Sequence, residues 1–289
     1  MIIQRQMNGT PYSILVPSDD VHGLYMAENG QHDLSWSYVL RNIKPGDIVV
    51  DVGAHVGLFS LLACAKGAHV VAVEPAPSNL ACLKKLTDIN PGLNLQVVEA
   101  AASDKQGVIA FAPNGPHGHV ALGGESDVVN VSTLRLDSLS LKDVALVKID
   151  VEGHELAVLD GMSGCRVPLL LCESNGHSLY MTGNTTDDLR QKLERYGYTN
   201  YRLHQDGAVV PTPVGEIQPE CVVDLISVPS GLAHTLDARP KLSSEEMDEW
   251  VCSCKEAIET QQLGSAHRNH LERELSRRQS PLKSGPAKN

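Results

Sequence analysis

The 289-residue chain lacks the long apolar runs that mark membrane proteins. None of its hydrophobic stretches reaches the length of about 20 residues that a membrane-spanning helix needs. Its amino terminus also lacks a basic start followed by a long apolar run, so we expect no secretory signal there. The sequence therefore predicts a cytoplasmic protein without a membrane partner.

Cysteine pairs of the zinc-binding type are also missing. Seven cysteines is an odd number, and no two of them have the CxxC spacing that is typical of zinc sites. We interpret them as reduced, structural thiols of a cytoplasmic protein.

There is no excess of basic residues. The net charge is −11, and residues 231–289 contain nine Lys or Arg and nine Asp or Glu, so the acidic excess lies within residues 1–230. An acidic body is a poor electrostatic partner for nucleic acid or an anionic membrane. Neutral or cationic small substrates are favoured instead.

What the sequence does contain is an alternation of strands and helices. The segments IVVDVG, HVVAVEP and NLQVVEAA predict strands, and amphipathic helical segments lie between them. The alternation resumes with VALVKID, the helix EGHELAVLDGM and the strand VPLLLCES. This order is typical of an α/β fold in which helices cover both faces of a parallel sheet.

Two departures from this alternation complete the predicted fold. Residues 107–136 form two short strands around a Gly/Pro/His-rich loop, and a loop of this length is typical of a lid. The late strands YTNYRLH and CVVDLISVP predict an antiparallel hairpin at the sheet edge. We therefore predict a Rossmann-like, doubly wound sheet of seven mostly parallel strands with an antiparallel edge strand.

The predicted organisation has three parts: an N-terminal strand and helix segment over residues 1–45, a main domain over 46–230 and a C-terminal segment over 231–289. The C-terminal segment begins with an amphipathic helix, for packing against the core or in a homodimer, and continues into a polar tail that we expect to be disordered. The apolar stripe of this helix consists of Met247, Trp250, Val251, Cys254 and Ile258.

The strongest chemical signal is DVGAHVGLFS, which follows the first predicted strand directly. A dinucleotide-binding loop reads G-x-G-x-x-G, but Asp51 stands where the first glycine would, and Gly53 and Gly57 follow it. No G-K-[ST] follows, which excludes a P-loop. An acid at position 51 would repel a pyrophosphate but can pair with an ammonium group, and Gly53 allows a ligand to approach the backbone.

A second acid, Glu74, ends the next predicted strand, 23 residues after Asp51. A carboxylate in that position can accept hydrogen bonds from both hydroxyls of a ribose. A ligand with a ribose, an amine and no phosphate fits S-adenosylmethionine better than NAD. The two acids together therefore indicate a site for S-adenosylmethionine.

Four segments resemble the FkbM family of class I S-adenosylmethionine-dependent methyltransferases: DVGAHVGLFS, VVAVEPAPSNL, AASDKQG and VKIDVEGHE. The resemblance covers roughly residues 46–165, and KIDVEGHE is its most specific part. One departure is His55, since the family commonly has Asn at this position. The resemblance implies the class I methyltransferase fold.

The resemblance also implies which residues hold the cofactor. Asp51 and Gly53 line its methionine part, Glu74 binds the ribose hydroxyls, and Asp150 faces the sulfonium. The remaining predicted cofactor residues are His55, Gly57, Pro75, Ser78 or Asn79, Ala102, Ser103 and Asp104.

Methyl transfer to an alcohol requires the hydroxyl proton to leave, so a general base or a metal ion is useful. Candidate catalytic residues at the predicted strand ends are Asp150, Glu152, His154, Glu173 and His177. We favour a base that acts without a metal. The alternative is a Mg²⁺ ion that Asp150, Glu173 and Asn175 hold and that binds both substrate hydroxyls.

Other residues of this region have simpler interpretations. His117 and His119 have no further metal ligand at a suitable spacing, so we place them in a flexible loop near the substrate cleft. We interpret Lys148 as a structural residue of its strand.

The sequence thus predicts a methyltransferase that acts on a hydroxyl of a small molecule, namely a sugar, a glycoside or a secondary metabolite. One alternative is N-methylation of an amide or amine in a peptide natural product. Another is a cofactor-binding scaffold without activity, against which the intact Asp51, Glu74, Asp150 and Glu152 argue. The acidic body and the absence of an [ND]-P-P-[YF] motif disfavour nucleic-acid methylation.

Overall fold

The computed structural model describes residues 1–7, 10–17, 20, 34–204, 207–215 and 222–233. The C-terminal amphipathic helix predicted from the sequence, its apolar stripe and the polar tail lie outside the described residues. No helix in the described part is long and apolar enough to cross a membrane.

The strands and helices alternate along the main domain as the sequence predicts. The strands are β1 Ile2–Met7, β2 Thr10–Leu15, β3 Ile48–Val52, β4 His69–Glu74, β5 Leu95–Glu99, β6 Ala101–Ala102, β7 Gly107–Ala112, β8 His119–Val120, β9 Val129–Leu134, β10 Val144–Ile149, β11 Leu170–Asn175, β12 Tyr198–Leu203, β13 Val209–Pro211 and β14 Val222–Pro229. The helices are α1 Leu34–Leu40, α2 Leu58–Ala65, α3 Pro77–Ile89, α4 Glu155–Gly161, α5 Gly176–Met181 and α6 Thr186–Arg195.

The central sheet has eight strands in the order β13-β12-β14-β11-β10-β3-β4-β5. The five strands from β11 to β5 are parallel to one another, and β14 is antiparallel to both β11 and β12. The predicted antiparallel pair of late strands is therefore confirmed, although β14 lies inside the sheet. The edge strand is β13, a three-residue strand that follows β12 and adds an eighth strand to the seven predicted.

Helices cover both faces of this sheet, which confirms the doubly wound architecture. On one face, Tyr38 of α1 and Phe59 of α2 pack against the strands. On the other face, Leu159 of α4 and Leu193 of α6 belong to a second apolar cluster. Helix α6 begins with a capping box, in which Thr185 Oγ1 accepts from the Asp188 amide at 3.1 Å and Asp188 Oδ2 accepts from the Thr185 amide at 2.9 Å.

Residues 101–134, where the alternation breaks, form a separate four-stranded sheet in the order β6-β9-β7-β8. Phe111 of β7 and Val131 of β9 pack against Ala76, which lies two residues after the end of β4. This contact places the small sheet beside the carboxyl ends of the central strands.

The N-terminal strands β1 and β2 form an antiparallel hairpin on the outer side of α3. Ile14 shares an apolar cluster with Leu83 and Leu86 of α3. The Asn90 side chain, at the end of α3, accepts from the Ser13 amide at 2.6 Å and donates to the Ser13 carbonyl at 2.6 Å. The hairpin thus packs onto the main domain and helps to fix α3.

Candidate active site

A cavity lies at the carboxyl ends of β3, β4 and β10. The chain proceeds from β3 to one side and from β10 to the other, and such a reversal of strand order is where open α/β sheets bind ligands. The cavity contains about 540 Å³ of empty space, part of it open to solvent. Its wall consists of Val52, Gly53, His55, Val73, Glu74, Pro75, Asn79, Ala100, Ala101, Ala102, Phe111, Gly115, Gly118, Val120, Asp150, Val151, Glu152 and His154.

Glu74 is a buried carboxylate whose two oxygens are both held by the protein. Oε2 accepts from the His55 amide at 2.9 Å, while Oε1 accepts from the Ala76 amide at 2.8 Å and from Asn79 Nδ2 at 3.1 Å. Burial raises the pKa of Glu74, and these hydrogen bonds oppose the increase. Since a carboxylate has about four lone-pair sites, it retains acceptor capacity for a ligand hydroxyl.

The two glycines of the loop after β3 are required by packing within the protein. A Cβ atom on Gly53, where φ is +75°, would lie 1.8 Å from the backbone oxygen of Asp150. A Cβ atom on Gly57, where φ is +91°, would meet Leu86 at 2.5 Å and Leu83 at 2.6 Å. Gly53 therefore allows β3 and β10 to approach each other beside the cavity, and Gly57 allows α3 to pack on the loop.

His55 adopts the left-handed backbone conformation, with φ at +53°. Asn and His are both enriched among non-glycine residues in this conformation, which is a physical reason why His can stand where the family commonly has Asn. The His55 amide donates to Glu74, while its ring Nε2 lies 2.6 Å from Asp20 Oδ2. Its backbone thus positions the acid of the cavity wall.

Asp51 is completely buried behind the cavity and is not on its wall. Its Oδ2 accepts from Ser60 Oγ of α2 at 2.6 Å, and its Oδ1 lies 3.5 Å from the ammonium of Lys148. The ammonium group that Asp51 contacts in this structure is therefore one of the protein's own, that of Lys148.

Lys148 is buried between the carboxylates of two strands. Its Nζ lies 3.1 Å from Asp150 Oδ2, and 5.6 and 5.7 Å from the ring centres of Trp36 and Phe59. Burial favours the neutral amine, but Asp150 and Asp51 outweigh that effect and hold the pKa of Lys148 above its usual value. Lys148 is therefore a permanent positive charge beneath the cavity.

Three carboxylates meet at the side of the cavity away from Glu74. Oxygen atoms of Asp150, Glu152 and Glu173 all lie within 4.8 Å of one another. Glu152 Oε1 accepts from His117 Nδ1 at 3.1 Å, and its Oε2 accepts from Ser178 Oγ at 2.7 Å. Burial, together with the charges of Asp150 and Glu152, raises the pKa of Glu173 well above its usual value. We call these three residues the acid cluster.

The backbone of Glu152 is in an unfavourable conformation, since its φ is +50°. A glutamate in this region costs about 1 to 2 kcal/mol, a cost that glycine would avoid. Unfavourable backbone conformations of this kind concentrate at functional sites. The carboxylate of Glu152 is thus held in place at the expense of backbone energy.

His154 lies on the cavity wall between the acid cluster and the residues predicted to border the adenine. Its Nε2 lies 2.9 Å from Ser103 Oγ, and that hydroxyl lies 3.0 Å from Asp104 Oδ1. Burial lowers the pKa of His154, so the ring is neutral at pH 7. Ser103 is therefore not on the cavity wall itself, but it contacts His154, which is.

Asn175 and His177 do not line the cavity. Asn175 Oδ1 caps helix α5 by accepting from the amides of His177 at 3.2 Å and Ser178 at 3.3 Å. The His177 side chain is exposed at the start of this helix. Among the predicted catalytic residues, the structure brings together Asp150, Glu152 and Glu173, with His154 nearby.

The small sheet supplies wall residues that the sequence analysis did not assign to the site: Phe111, Gly115, Gly118 and Val120. His117, in the 3₁₀ turn between β7 and β8, extends across to Glu152, where the carboxylate raises the pKa of the imidazole. The loop predicted to lie near the cleft thus contributes to the wall. Its place was indicated by its Gly, Pro and His content, but no periodic pattern identified the individual residues.

Three methyltransferases have sequences similar to that of this chain. "Hexuronic acid methyltransferase AglP" from Haloferax volcanii is 33% identical over 131 residues, which cover 43% of this chain and 54% of that protein. "31-O-demethyl-FK506 methyltransferase FkbM" from Streptomyces tacrolimicus is 28% identical over 165 residues, covering 44% of this chain and 63% of that protein. "Methyltransferase sdnD" from Sordaria araneosa is 26% identical over 165 residues, covering 43% and 64%.

The chain thus spans between half and two thirds of the length of the curated relatives that it matches. A family model described as "Methyltransferase FkbM domain" matches residues 51–199, which is just over half of the chain. The matched segment runs from β3 through β12 and includes Glu74, the acid cluster and the small sheet. The protein belongs to the FkbM methyltransferase domain family.

Proposed function

We propose that this protein transfers a methyl group from S-adenosylmethionine to a hydroxyl group of a small molecule. The proposal rests on the cavity at the reversal of strand order. At one end of this cavity, Glu74 accepts three hydrogen bonds from the protein, and at the other end lies the acid cluster. Membership of the FkbM methyltransferase domain family supports the type of reaction.

The chain's own residues fit the cofactor. Glu74 has acceptor capacity left for a ribose hydroxyl, and apolar wall residues beside it, such as Ala102 and Phe111, suit an adenine ring. Asp150 is on the wall next to Gly53 and offers a negative charge to a sulfonium. When bound, the cofactor supplies an electrophilic methyl group, so that the acceptor oxygen gains the carbon, the carbon–sulfur electron pair stays on sulfur and the hydroxyl proton leaves.

The acid cluster suits the acceptor side of this reaction. An alcohol loses its proton reluctantly, and carboxylates near the reacting oxygen assist that loss. Asp150 and Glu152 are on the cavity wall, and Glu173 adjoins them. We propose that an acceptor hydroxyl binds against this cluster, with its oxygen directed at the cofactor.

The names of two relatives support a hydroxylated acceptor. One refers to a hexuronic acid and the other to 31-O-demethyl-FK506, a substrate methylated at oxygen. We therefore propose a sugar, a glycoside or a hydroxylated secondary metabolite as the substrate class. The acidic cavity makes nucleic acid a poor substrate.

Isothermal titration with S-adenosylmethionine tests the cofactor part of the proposal. We expect the wild-type protein to bind it and Glu74→Ala to lose about a hundredfold in affinity, because the ribose hydroxyls lose a charged hydrogen-bond acceptor. Mass spectrometry of a panel of hydroxylated and amine acceptors then tests the reaction. Unaltered affinity in Glu74→Ala, or methylation of amines alone, would contradict the proposal.

A further inference from the structure

The acid cluster is short of positive charge. Lys148 is 3.1 Å from Asp150, but it is shared with Asp51 at 3.5 Å. Another carboxylate, that of Asp224, belongs to the residue that pairs with Glu173 across β11 and β14. In the described part of the structure, Lys148 and the His117 ring, which lies 3.1 Å from Glu152, are the cationic groups paired with members of the acid cluster.

Within the acid cluster, the Glu173 carboxylate has the least compensation for its burial. Its Oε2 atom is shielded from solvent and has no hydrogen-bond partner among the described residues. A buried carboxylate oxygen without a partner is costly, because water no longer solvates it. A cation bound beside this atom would remove the cost.

The positions of the three carboxylates suit such a cation. Hard divalent cations prefer oxygen ligands, and Mg²⁺ holds them at about 2.1 Å, so that its ligand atoms are at most about 4.2 Å apart. The cluster's oxygen atoms lie within 4.8 Å of one another, which exceeds that limit by about 0.6 Å. Two of the three residues, Asp150 and Glu152, are on the cavity wall, so a ligand bound in the cavity could complete the coordination.

We propose that Asp150, Glu152 and Glu173 bind a hard divalent cation, such as Mg²⁺ or Mn²⁺, at the acceptor end of the cavity. This ligand set contains Glu152, whose carboxylate lies within 4.8 Å of those of Asp150 and Glu173, in place of the Asn175 considered from the sequence. From the sequence alone we favoured a general base that acts without a metal. With this site, we instead propose that a metal ion takes part.

The role of the cation rests on the proposed function, whereas its binding does not. A cation here would hold the acceptor hydroxyl and lower its pKa, so that the proton leaves more readily as the new bond to carbon forms. A substrate with two adjacent oxygen donors would suit it best. Vicinal hydroxyls of a sugar, or a hydroxyl beside a carboxylate, have this chemistry.

Titration of the full chain with Mn²⁺, followed by electron paramagnetic resonance without substrate or cofactor, tests the site directly. We expect one Mn²⁺ to bind per chain, Mg²⁺ to displace it, and Glu173→Gln to weaken binding at least tenfold. The matched control is Glu99→Gln, which removes an exposed carboxylate from the end of β5 at the same edge of the sheet. Absence of Mn²⁺ binding, or equal affinity in the wild type and Glu173→Gln, would overturn the proposal.

Two further measurements separate the possible failures. Thermal unfolding shows whether Glu173→Gln is folded, and Glu152→Gln provides the same comparison if it is not. Titration with S-adenosylmethionine in the presence of a chelator tests the cofactor site independently. Cofactor binding without Mn²⁺ binding would overturn the cation site alone, whereas Mn²⁺ binding without cofactor binding would overturn the proposed function alone.

Discussion

The two ends of the cavity hold buried carboxylates in opposite ways. At one end, Glu74 accepts three hydrogen bonds from the protein, from the His55 and Ala76 amides and the Asn79 side chain. At the other, Glu173 has an oxygen atom without a partner in the described structure and has acids as neighbours. Under the proposed function, this difference means that the cofactor end is organised before binding, while the acceptor end is completed by what binds there.

The largest expected effect is a loss of stability when Lys148, the buried cation beside Asp150 at the acceptor end, is replaced. Lys148→Met leaves the buried Asp51 and the adjacent Asp150 without their cation, and removing one partner of a buried ion pair costs about 3 to 5 kcal/mol. We expect urea denaturation to show a loss of this size in the free energy of unfolding. The control is Lys85→Met, which breaks an exposed pair with Asp88 and should cost less than about 1 kcal/mol. Similar losses in both variants would contradict the account.

A pH dependence of nearly the same size is expected from Glu155, the buried acid of α4 that accepts from the Val151 and Gly153 amides. Burial raises the pKa of Glu155 from 4.5 to about 7. The folded protein therefore keeps a proton that the unfolded chain releases above pH 4.5. The free energy of unfolding should fall by about 3 kcal/mol as the pH rises from 4.5 to 7.

Urea denaturation at several pH values, on the wild type and on Glu155→Gln, isolates this contribution. The amide of the variant does not titrate. As the pH rises from 4.5 to 7, the free energy of unfolding should therefore fall more in the wild type than in Glu155→Gln. A difference that stays constant from pH 4.5 to 7 would show that Glu155 ionises normally.

A smaller effect concerns the backbone of Glu152. Because φ is +50° there, Glu152→Gly should be more stable than Glu152→Ala by about 1 kcal/mol in urea denaturation. Both variants lose the carboxylate, so we expect both to lose methyl transfer at least tenfold. Equal stability of the two variants would mean that the loop relaxes when the carboxylate is removed, and retained activity would exclude Glu152 from the site.

The sequence predicted seven of the eight strands of the central sheet, and much of the site follows from where these strands end. Glu74 and Asp150 could be placed because the carboxyl ends of parallel strands lie at one edge. Asp51 was harder, because successive strand residues point to opposite faces of the sheet. Val50 and Val52 face the apolar cluster that contains Leu159 and Leu193. Asp51 points to the opposite face of the sheet, toward Lys148 and α2.

Other features depend on contacts between distant segments, which no local pattern records. The bond between His117 and Glu152 joins residues 35 positions apart, across the small sheet and β10. A requirement for Gly53 arises from the backbone of Asp150, 97 positions further along the chain. The edge strand β13 escaped prediction because it has only three residues and one of them is proline.

The most direct test of the account compares the two ends of the cavity in one experiment. Isothermal titration with S-adenosylmethionine, in the presence of a chelator, would be carried out on the wild type, Glu74→Gln and Glu173→Gln. We expect Glu173→Gln to bind like the wild type and Glu74→Gln to bind at least tenfold more weakly, because one of its oxygens is replaced by an amide donor that faces protein donors. Equal affinity in all three proteins, or a greater loss in Glu173→Gln, would contradict the assignment of Glu74 to the cofactor and of the acid cluster to the acceptor.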